Sequence, residues 1–386
     1  MLSFISPQYL FLVFGITLIN LVIHYWNKWN VLDYLTSIPM LLRLCRAAKN
    51  LLEIEHDGKL TPLSQALRHV AGVKKQMLFF KIEAGVQDDL KAGVSGLFEL
   101  VKIVFLLDPL ALFGALKQIE DKKDEIQMIF EYVGRIDTAI SIASLREGLS
   151  AYCIPEVVDS KKSLIANRCV HPLIADCVPN SILLNDESLL LTGSNMSGKT
   201  TFIRTIGINV LTALTINTCF AEHFSLPRLR LWSAIRISDD LMNDRSYYFE
   251  EVLSIKEMIA QSTSGYPNLF LLDELYKGTN TIERISGGKA VFSHLNQGYN
   301  LVLVSTHDVE LTHLLKGEFK LNHFTELVKK RDIQFDYQLK EGPLTTRNAI
   351  KILEANDYPE EVVAEARYLA TSISEENSVQ PSFLMK

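Results

Sequence analysis

The sequence Gly193-Ser-Asn-Met-Ser-Gly198-Lys199-Thr200 fits the pattern G-x-x-x-x-G-K-T, a glycine-rich loop that binds phosphate groups. The apolar run Leu189–Leu191 precedes this loop and predicts a buried strand, and Thr201–Leu211 has the apolar spacing of a helix. The motif requires this context, because the backbone N–H groups of the loop and the N-terminal end of the helix both favour a bound anion. The stretch therefore predicts an α/β fold of the P-loop NTPase class.

Side chains within the loop predict a nucleoside triphosphate with Mg²⁺ as the ligand. The Lys199 amino group would reach the β- and γ-phosphates, which makes it a binding and a catalytic candidate, and the Thr200 hydroxyl would hold Mg²⁺. ATP is the expected nucleotide. The predicted nucleotide-binding residues are Gly193, Ser194, Asn195, Met196, Ser197, Gly198, Lys199, Thr200 and Thr201.

Two further apolar runs end in polar residues that complete a hydrolytic site. Leu269–Leu272 is followed by Asp273 and Glu274, and Leu301–Val304 is followed by Ser305, Thr306 and His307. Strand ends of this kind belong at the carboxyl edge of a parallel sheet, where open α/β folds bind ligands. Asp273 would hold Mg²⁺ through water. Glu274 would polarise the attacking water, and His307 would contact that water or the γ-phosphate, so the sequence predicts an ATPase.

These segments together resemble the ATPase domain of MutS-type mismatch-repair proteins. Asn-Met inside the loop is distinctive of that family, and the resemblance is strong from about residue 165 to residue 340. The lead-in to the P-loop strand also matches. The segments that carry the resemblance are His171–Leu173, Val178–Asn180, Thr192–Arg204, Arg236–Asp240, Asp244–Ser246, Asp273–Thr281 and Ser305–Leu311.

The resemblance implies an ABC-type site that two subunits of a homodimer share. Ser246 would then contact the γ-phosphate bound by the partner's P-loop, and His323 would lie near the nucleotide base. The family often has an aromatic residue that stacks on adenine just before the Val-Pro-Asn segment, whereas this chain has Cys177 there. The preference for ATP over GTP is left open at this point.

Composition restricts the partners of the chain. The 386 residues carry a net charge of −6, and the pI of about 5.9 argues against a broadly basic nucleic-acid surface, although a local patch is compatible with it. The five cysteines form no C-x-x-C pair. They are expected to be reduced thiols, mostly buried.

The N-terminal segment has two interpretations. Residues 1–27 contain no charged side chain, and the almost wholly apolar stretch Tyr9–Trp26 is about as long as a membrane-spanning helix. Basic residues follow from Lys28 onward, so a span over residues 6–26 would leave the ATPase in the cytoplasm. The alternative is a buried helix in which Asn20 and His24 are core polar residues.

The predicted organisation has four parts. Residues 1–28 are an apolar segment and possible transmembrane helix, 29–150 an all-helical region like the family's core and lever, 151–340 the ATPase domain, and 341–386 a helical pair with a frayed tail. Ile333–Leu339 alternates apolar and polar residues and predicts a strand. Thr345–Ala355 and Pro359–Ala370 predict the helical pair, which resembles the family's dimerisation helices.

Two functions compete. The first is an ATPase whose nucleotide state switches the conformation of a dimer on DNA, in mismatch repair or recombination. The second is a membrane-tethered ATPase that acts on a protein partner and has lost mismatch recognition. The family reads mismatches with an upstream domain and a Phe-x-Glu motif, and Phe324-Thr-Glu326 is interpreted as a chance match to it. Any DNA binding is therefore expected to be non-specific, without preference for a mispair.

Overall fold

A computed structural model describes residues 7–54, 62–70, 101, 103–194, 196–235, 247–329, 332–344 and 349–379. The chain divides into two compact units, Met1–Ser144 and Leu145–Lys386. The first unit is helical where it is described, and the second contains the β-sheets.

The first unit is built from long helices. They are α1 (Pro7–Ile54), α2 (62–70), α3 (Leu107–Asp121) and α4 (Lys123–Glu147), of which α4 continues into the second unit. Its core packs apolar side chains from α1, α2 and α4 against one another, because each helix contributes residues three or four positions apart on one face. The buried members of this core are Ala48, Leu63, Ala66, Val70 and Ile129.

The N-terminal segment forms the first part of α1. Among the residues that the structure describes, no helix combines the length and the apolarity needed to cross a membrane. The possible transmembrane helix at residues 6–26 is therefore not supported. Asn20 donates from Nδ2 to the Val104 carbonyl oxygen at 2.8 Å, and α1 continues past Lys28 to Ile54. The alternative of a buried helix is wrong for most of this stretch, since side chains such as Phe11 (78% exposed), Phe14 (70%) and Trp26 (75%) lie at the surface.

The second unit contains twelve strands and six helices in its described residues. The strands are β1 (Glu156–Val157), β2 (Ser163–Cys169), β3 (Asn180–Asn185), β4 (Ser188–Thr192), β5 (His223–Leu226), β6 (Arg230–Ala234), β7 (Asn268–Asp273), β8 (Leu301–Thr306), β9 (Phe319–His323), β10 (Glu326–Lys329), β11 (Asp332–Phe335) and β12 (Lys340–Glu341). The helices are α5 (Lys199–Ile216), α6 (Tyr247–Ser262), α7 (Thr281–Leu295), α8 (Glu310–Leu314), α9 (Ala349–Ala355) and α10 (Glu360–Val379).

A six-stranded sheet in the order β12-β9-β4-β8-β7-β6 carries the predicted motifs. All its strand pairs are parallel except β12 with β9. The predicted strands at 189–191, 269–272 and 301–304 are confirmed as the central β4, β7 and β8. Since neighbouring parallel strands end at the same edge, the polar residues that follow these three strands meet there.

The central strands are buried on both faces, which explains their unbroken apolar runs. Successive residues of a strand point to opposite faces, so Leu189 and Leu191 pack with α5 and the four-stranded sheet β1-β5-β2-β3. Leu190 packs with α6, α7 and α8 on the other side. The α/β fold class is thus observed in the second unit.

The C-terminal part differs in detail from the prediction. The strand predicted over 333–339 ends at Phe335 as β11, because Tyr337 adopts a left-handed conformation (φ 51°) that an extended strand does not accommodate. The predicted helical pair is present as α9 and α10; residues 345–348, the start of the first predicted helix, lie outside the described residues.

Candidate active site

The carboxyl ends of β4, β7 and β8 open into a cavity of about 700 Å³. Two groups of residues lie around this cavity. The strand-edge cluster comprises Lys199, Thr200, Asp273, Glu274, Ser305 and His307, of which the first four line the cavity. The apolar wall comprises Ile174, Cys177, Val178 and Tyr337, which all line it.

The P-loop backbone has conformations that only small residues fit easily. A Cβ atom on Gly193 would lie 2.7 Å from the Phe324 carbonyl oxygen, which is closer than real contacts allow. Gly198, just before α5, has φ 109°, in the region that favours glycine. Met196 adopts φ 66° and is mostly exposed. Asn195 lies outside the described residues.

Lys199 is buried at the start of α5, with its amino group folded back on the loop. Its Nζ donates to the carbonyl oxygens of Gly193 at 2.9 Å and Ser194 at 2.8 Å. Burial lowers the pKa of Lys199 to about 8, against the opposing effect of the Asp273 carboxylate. The loop thus holds a cation whose charged form would gain from an incoming anion.

Thr200 and Asp273 bring hydroxyl and carboxylate oxygens together. The Thr200 Oγ1 donates to both Asp273 oxygens, at 3.1 Å and 2.9 Å. The Ser305 hydroxyl, at the end of β8, also donates to Asp273. Three side chains from three neighbouring elements therefore offer hard oxygen ligands, the type that Mg²⁺ prefers.

Glu274 follows β7 with a strained backbone. Its φ is 53°, an uncommon conformation for a residue with a side chain, and its N–H donates to the Ser305 carbonyl oxygen at 2.9 Å. The Glu274 carboxylate contacts His307 Nε2 and Lys277 Nζ. The backbone turn thus directs the carboxylate toward the loop after β8.

His307 connects the loop after β8 to the P-loop. Its Nδ1 lies 2.9 Å from the Gly193 carbonyl oxygen and 3.4 Å from Lys199 Nζ. Burial, and then the nearby Lys199 charge, lower the pKa of His307. The three predicted catalytic residues Lys199, Glu274 and His307 are therefore in one contiguous network.

Tyr337 is a cavity residue that the sequence analysis missed. It lines the cavity together with Cys177, and a Cβ on Gly198 would lie 3.4 Å from its Cδ1. Asn180 fixes this segment: its Nδ2 donates to the Tyr337 carbonyl oxygen at 2.9 Å, and its Oδ1 accepts from the Leu339 N–H at 2.7 Å. Asn180 lies in Val178–Asn180, one of the segments that carry the family resemblance. The sequence around it does not indicate a hydrogen-bond partner 157 residues away.

Phe324 and Glu326 were also missed as site residues. The Phe324 N–H donates to the Thr192 carbonyl oxygen at 2.9 Å, and its ring lines the cavity. Ser194 Oγ donates at 2.5 Å to Glu326 Oε2, whose residue is 5% exposed. The Phe-x-Glu sequence interpreted as a chance match therefore supports the P-loop from β9 and β10.

Two predicted site residues are not in this network. His323 does not line the cavity in the part of the chain that is described; its Nδ1 lies 2.9 Å from the Gly342 carbonyl oxygen, at the edge where β12 pairs with β9. Ser246 and the segments Arg236–Asp240 and Asp244–Ser246 lie outside the described residues.

Comparison with known proteins finds similarity over the region that carries this site. The family model described as MutS domain V matches residues 189–374, which include every member of the strand-edge cluster. The matched region also includes Tyr337, the helix α9 and most of α10.

Curated relatives agree with this match. The DNA mismatch repair protein MutS of Fervidobacterium nodosum is 28% identical over 280 residues, which is 68% of this chain and 33% of the relative. That of a Geobacillus species is 28% identical over 67% of this chain and 31% of the relative, and that of Thermus aquaticus is 29% identical over 53% and 25%. The chain spans about a third of the length of the first two relatives. Through its match to MutS domain V and these relatives, the chain is similar to proteins of the MutS family.

Proposed function

We propose that this chain is an ATPase that binds and hydrolyses ATP with Mg²⁺ in the 700 Å³ cavity. The observation that carries the proposal is the convergence of the strand-edge cluster: a P-loop lysine, a Thr200–Asp273 oxygen pair, and a Glu274–His307 pair. These are the parts that phosphoryl transfer needs, since its catalysis is mainly positioning and charge stabilisation.

The triphosphate would replace the P-loop carbonyls as the partner of Lys199. In the structure, the Lys199 amino group donates to two neutral carbonyl oxygens. Phosphate oxygens carry full negative charge and make stronger, charge-assisted hydrogen bonds with an ammonium group. The backbone N–H groups of the loop and of the first turn of α5 supply further donors.

The residues present fit a magnesium ion. Thr200 and Asp273 would hold it, and Ser305 supports the Asp273 carboxylate. Bound Mg²⁺ supplies positive charge that neutralises the phosphate oxygens during transfer. Asp273 stands in the last position of β7, and the rigid sheet therefore fixes the carboxylate relative to the P-loop.

Glu274 and His307 would act on the attacking water and the γ-phosphate. The Glu274 carboxylate accepts a proton from the water as general base, provided that its contacts with His307 and Lys277 loosen when nucleotide binds. Burial and the Lys199 charge lower the pKa of His307 and so favour its neutral form, in which only one ring nitrogen donates. A γ-phosphate oxygen would then replace one of the ring's two acceptors, the Glu274 carboxylate or the Gly193 carbonyl oxygen. A neutral ring donates one hydrogen bond to a γ-phosphate oxygen without attracting the phosphate as a second cation would.

The nucleotide base would lie against the apolar wall. Tyr337 offers an aromatic face in a cavity where Cys177 offers none, and stacking on an aromatic ring is open to every base. We therefore assign the contact with the nucleotide base to Tyr337 rather than to His323.

The working assembly that we propose is a homodimer in which Ser246 completes the partner's site, with α9 and α10 as the dimerisation helices. ATP should then tighten the dimer. A Lys199→Ala subunit keeps Ser246, and a Ser246→Ala subunit keeps Lys199. When the two inactive proteins are mixed, a mixed dimer should therefore regain at most one working composite site. Full-rate hydrolysis by a protein that sediments as a monomer at every concentration contradicts shared sites.

The wider role that we propose is a nucleotide-dependent conformational switch on DNA in mismatch repair or recombination. The support is that the relatives are DNA mismatch repair proteins, whose length this chain covers only in part. A salt-titrated binding assay with duplex, mismatched and branched DNA, with and without ATP, tests it. Contacts limited to phosphates predict affinity that falls steeply with salt and no mispair preference; a preference that persists at physiological salt contradicts that part.

The ATPase proposal itself is tested by steady-state hydrolysis with Mg²⁺ and with EDTA. Hydrolysis should require Mg²⁺, and Thr200→Ala or Asp273→Asn should reduce it strongly because each removes an oxygen ligand. Thr215→Ala is the matched control, because Thr215 lies near the other end of α5 and donates only to the Leu211 carbonyl oxygen. Equal rates in EDTA, or equal losses in the control, would refute the assignment.

A further inference from the structure

An ion pair beside the strand-edge cluster has no part in the nucleotide chemistry described so far. The Arg284 guanidinium donates from Nε to Asp308 Oδ2 at 2.9 Å and from Nη2 to Asp308 Oδ1 at 2.6 Å. Both side chains are largely withdrawn from water, with exposures of 24% and 14%. A two-point contact of this kind fixes orientation as well as distance, so Arg284 and Asp308 are held as one unit.

The two residues lie on the chain segments that follow β7 and β8 and carry Glu274 and His307. Arg284 lies in the first turn of α7, which is capped by Asn280 accepting from the Glu283 N–H at 3.0 Å. Asp308 directly follows His307, and its N–H donates to Thr306 Oγ1 at 3.0 Å. The ion pair therefore joins the segment after β7 to the segment after β8.

A second, smaller cavity lies beside this ion pair. It has a volume of about 210 Å³, and its lining includes both pairs, Glu274 with His307 and Arg284 with Asp308. Open space beside a loop leaves room for it to move, since a side chain without neighbours on one side loses packing contacts there. The Glu274–His307 contact and the Arg284–Asp308 ion pair both join the two segments across this cavity.

We propose that Arg284 and Asp308 are positioning residues for His307. Their ion pair holds the segment after β8 so that the imidazole contacts both the Glu274 carboxylate and the Gly193 carbonyl oxygen. The role rests on the proposed ATPase function, because it matters for rate only if His307 acts in hydrolysis. It predicts an effect on turnover more than on nucleotide binding, since neither residue lines the large cavity.

The same helix supplies a matched control. Lys289, also on α7, pairs with Glu318 at 3.1 Å, and the exposures of these side chains are 36% and 39%. This pair links α7 to the segment before β9, and neither partner lines a cavity with His307. Its loss tests what removing an ion pair from α7 does by itself.

The experiment compares kcat and KM for ATP in the full chain carrying Arg284→Ala, Asp308→Ala, Lys289→Ala or Glu318→Ala. The first two should lower kcat by about tenfold or more, because small displacements of a catalytic group are costly, and leave KM nearly unchanged. The control variants should keep wild-type kcat. The exchanged pair Arg284→Asp with Asp308→Arg should recover part of the loss that either charge reversal causes alone.

A second readout keeps the inference separate from the proposed function. Hydrogen exchange of the nucleotide-free protein should be faster over residues 305–311 in Arg284→Ala and Asp308→Ala, and unchanged there in the Lys289 control. Faster exchange with no hydrolysis even in the wild type would sink the ATPase proposal and leave the positioning contact standing. Wild-type kcat and wild-type exchange in both variants, or an exchanged pair no better than the single reversals, would overturn the inference.

Discussion

The strand-edge cluster and the apolar wall share one cavity but differ in origin. The cluster comes from short motifs at the ends of adjacent parallel strands, and hydrogen bonds or ion contacts link its members directly. The wall combines residues 174–178 with Tyr337, which lies far along the chain and depends on the Asn180 amide for its placement. The difference indicates that the phosphate chemistry is set by the sheet, while contact with the base is set by a loop that a distant segment holds in place.

The largest expected effect is that of Glu274→Gln in the cluster. Without the carboxylate the water loses its general base, so kcat should fall on the order of a hundredfold or more while ATP still binds. Rapid-quench or steady-state rates, together with equilibrium binding, check both halves. Glu283→Gln, in the first turn of α7, is the control; fast turnover by Glu274→Gln would remove the residue from the proposed role.

The next effect is that of Lys199→Ala. Loss of the ammonium group should weaken ATP binding by roughly a hundredfold, since hydrogen bonds to charged groups each contribute about 1.5–3 kcal/mol. Calorimetric titration of the variant measures this. Lys289→Ala, on the surface of α7, should bind as the wild type does, and an equal loss in both variants would point to non-specific charge rather than to the P-loop.

A smaller effect is expected at the wall. Tyr337→Ala should weaken ATP binding by about tenfold because one aromatic stacking surface is lost, while kcat at saturation stays close to that of the wild type. Tyr337→Phe keeps the ring and should keep the affinity. Tyr266 is similarly exposed, 43% against 44% for Tyr337, and Tyr266→Ala is the control. If Tyr337→Ala reduces kcat instead of affinity, the division between cluster and wall is wrong.

The smallest expected effect is on stability and concerns Glu251, a buried residue that contacts the segment after Glu274. Glu251 in α6 is 2% exposed, and its Oε2 accepts from the Tyr276 N–H at 2.9 Å, two residues after Glu274. Burial raises the pKa of Glu251 to about 7 from its ordinary value of 4.5. Because the folded-state pKa is the higher one, the folded protein holds this proton more tightly, and the resulting stability is lost as pH rises through about 7.

Thermal unfolding at about pH 5 and about pH 8 measures this contribution. Glu251→Gln keeps a carbonyl acceptor for the Tyr276 N–H and does not titrate. The melting temperature of the wild type should therefore fall more between the two pH values than that of the variant. An identical pH dependence in both proteins would show that Glu251 is not protonated in the fold.

The sequence predicted the strand-edge cluster because each of its parts lies in a contiguous motif. Lys199 and Thr200 follow one apolar run, Asp273 and Glu274 a second, and His307 a third. Parallel strands then require their ends to meet. Tyr337 could not be predicted in this way. It comes after the end of β11 at Phe335, and the alternation of apolar and polar residues does not reveal its left-handed conformation. The apolar run at residues 9–26 also predicted a possible membrane span, which the described residues do not support.

A crystal structure of the chain with Mg²⁺ and a non-hydrolysable ATP analogue would show whether the cavity is the nucleotide site. If the proposed site is correct, the triphosphate lies on Lys199 and the P-loop N–H groups, Mg²⁺ lies near Thr200 and Asp273, and the base lies on the Tyr337 ring. The Lys199 amino group should have left the Gly193 and Ser194 carbonyl oxygens. A nucleotide bound outside this cavity, or a base away from Tyr337 with the phosphates elsewhere than on Lys199, would contradict it.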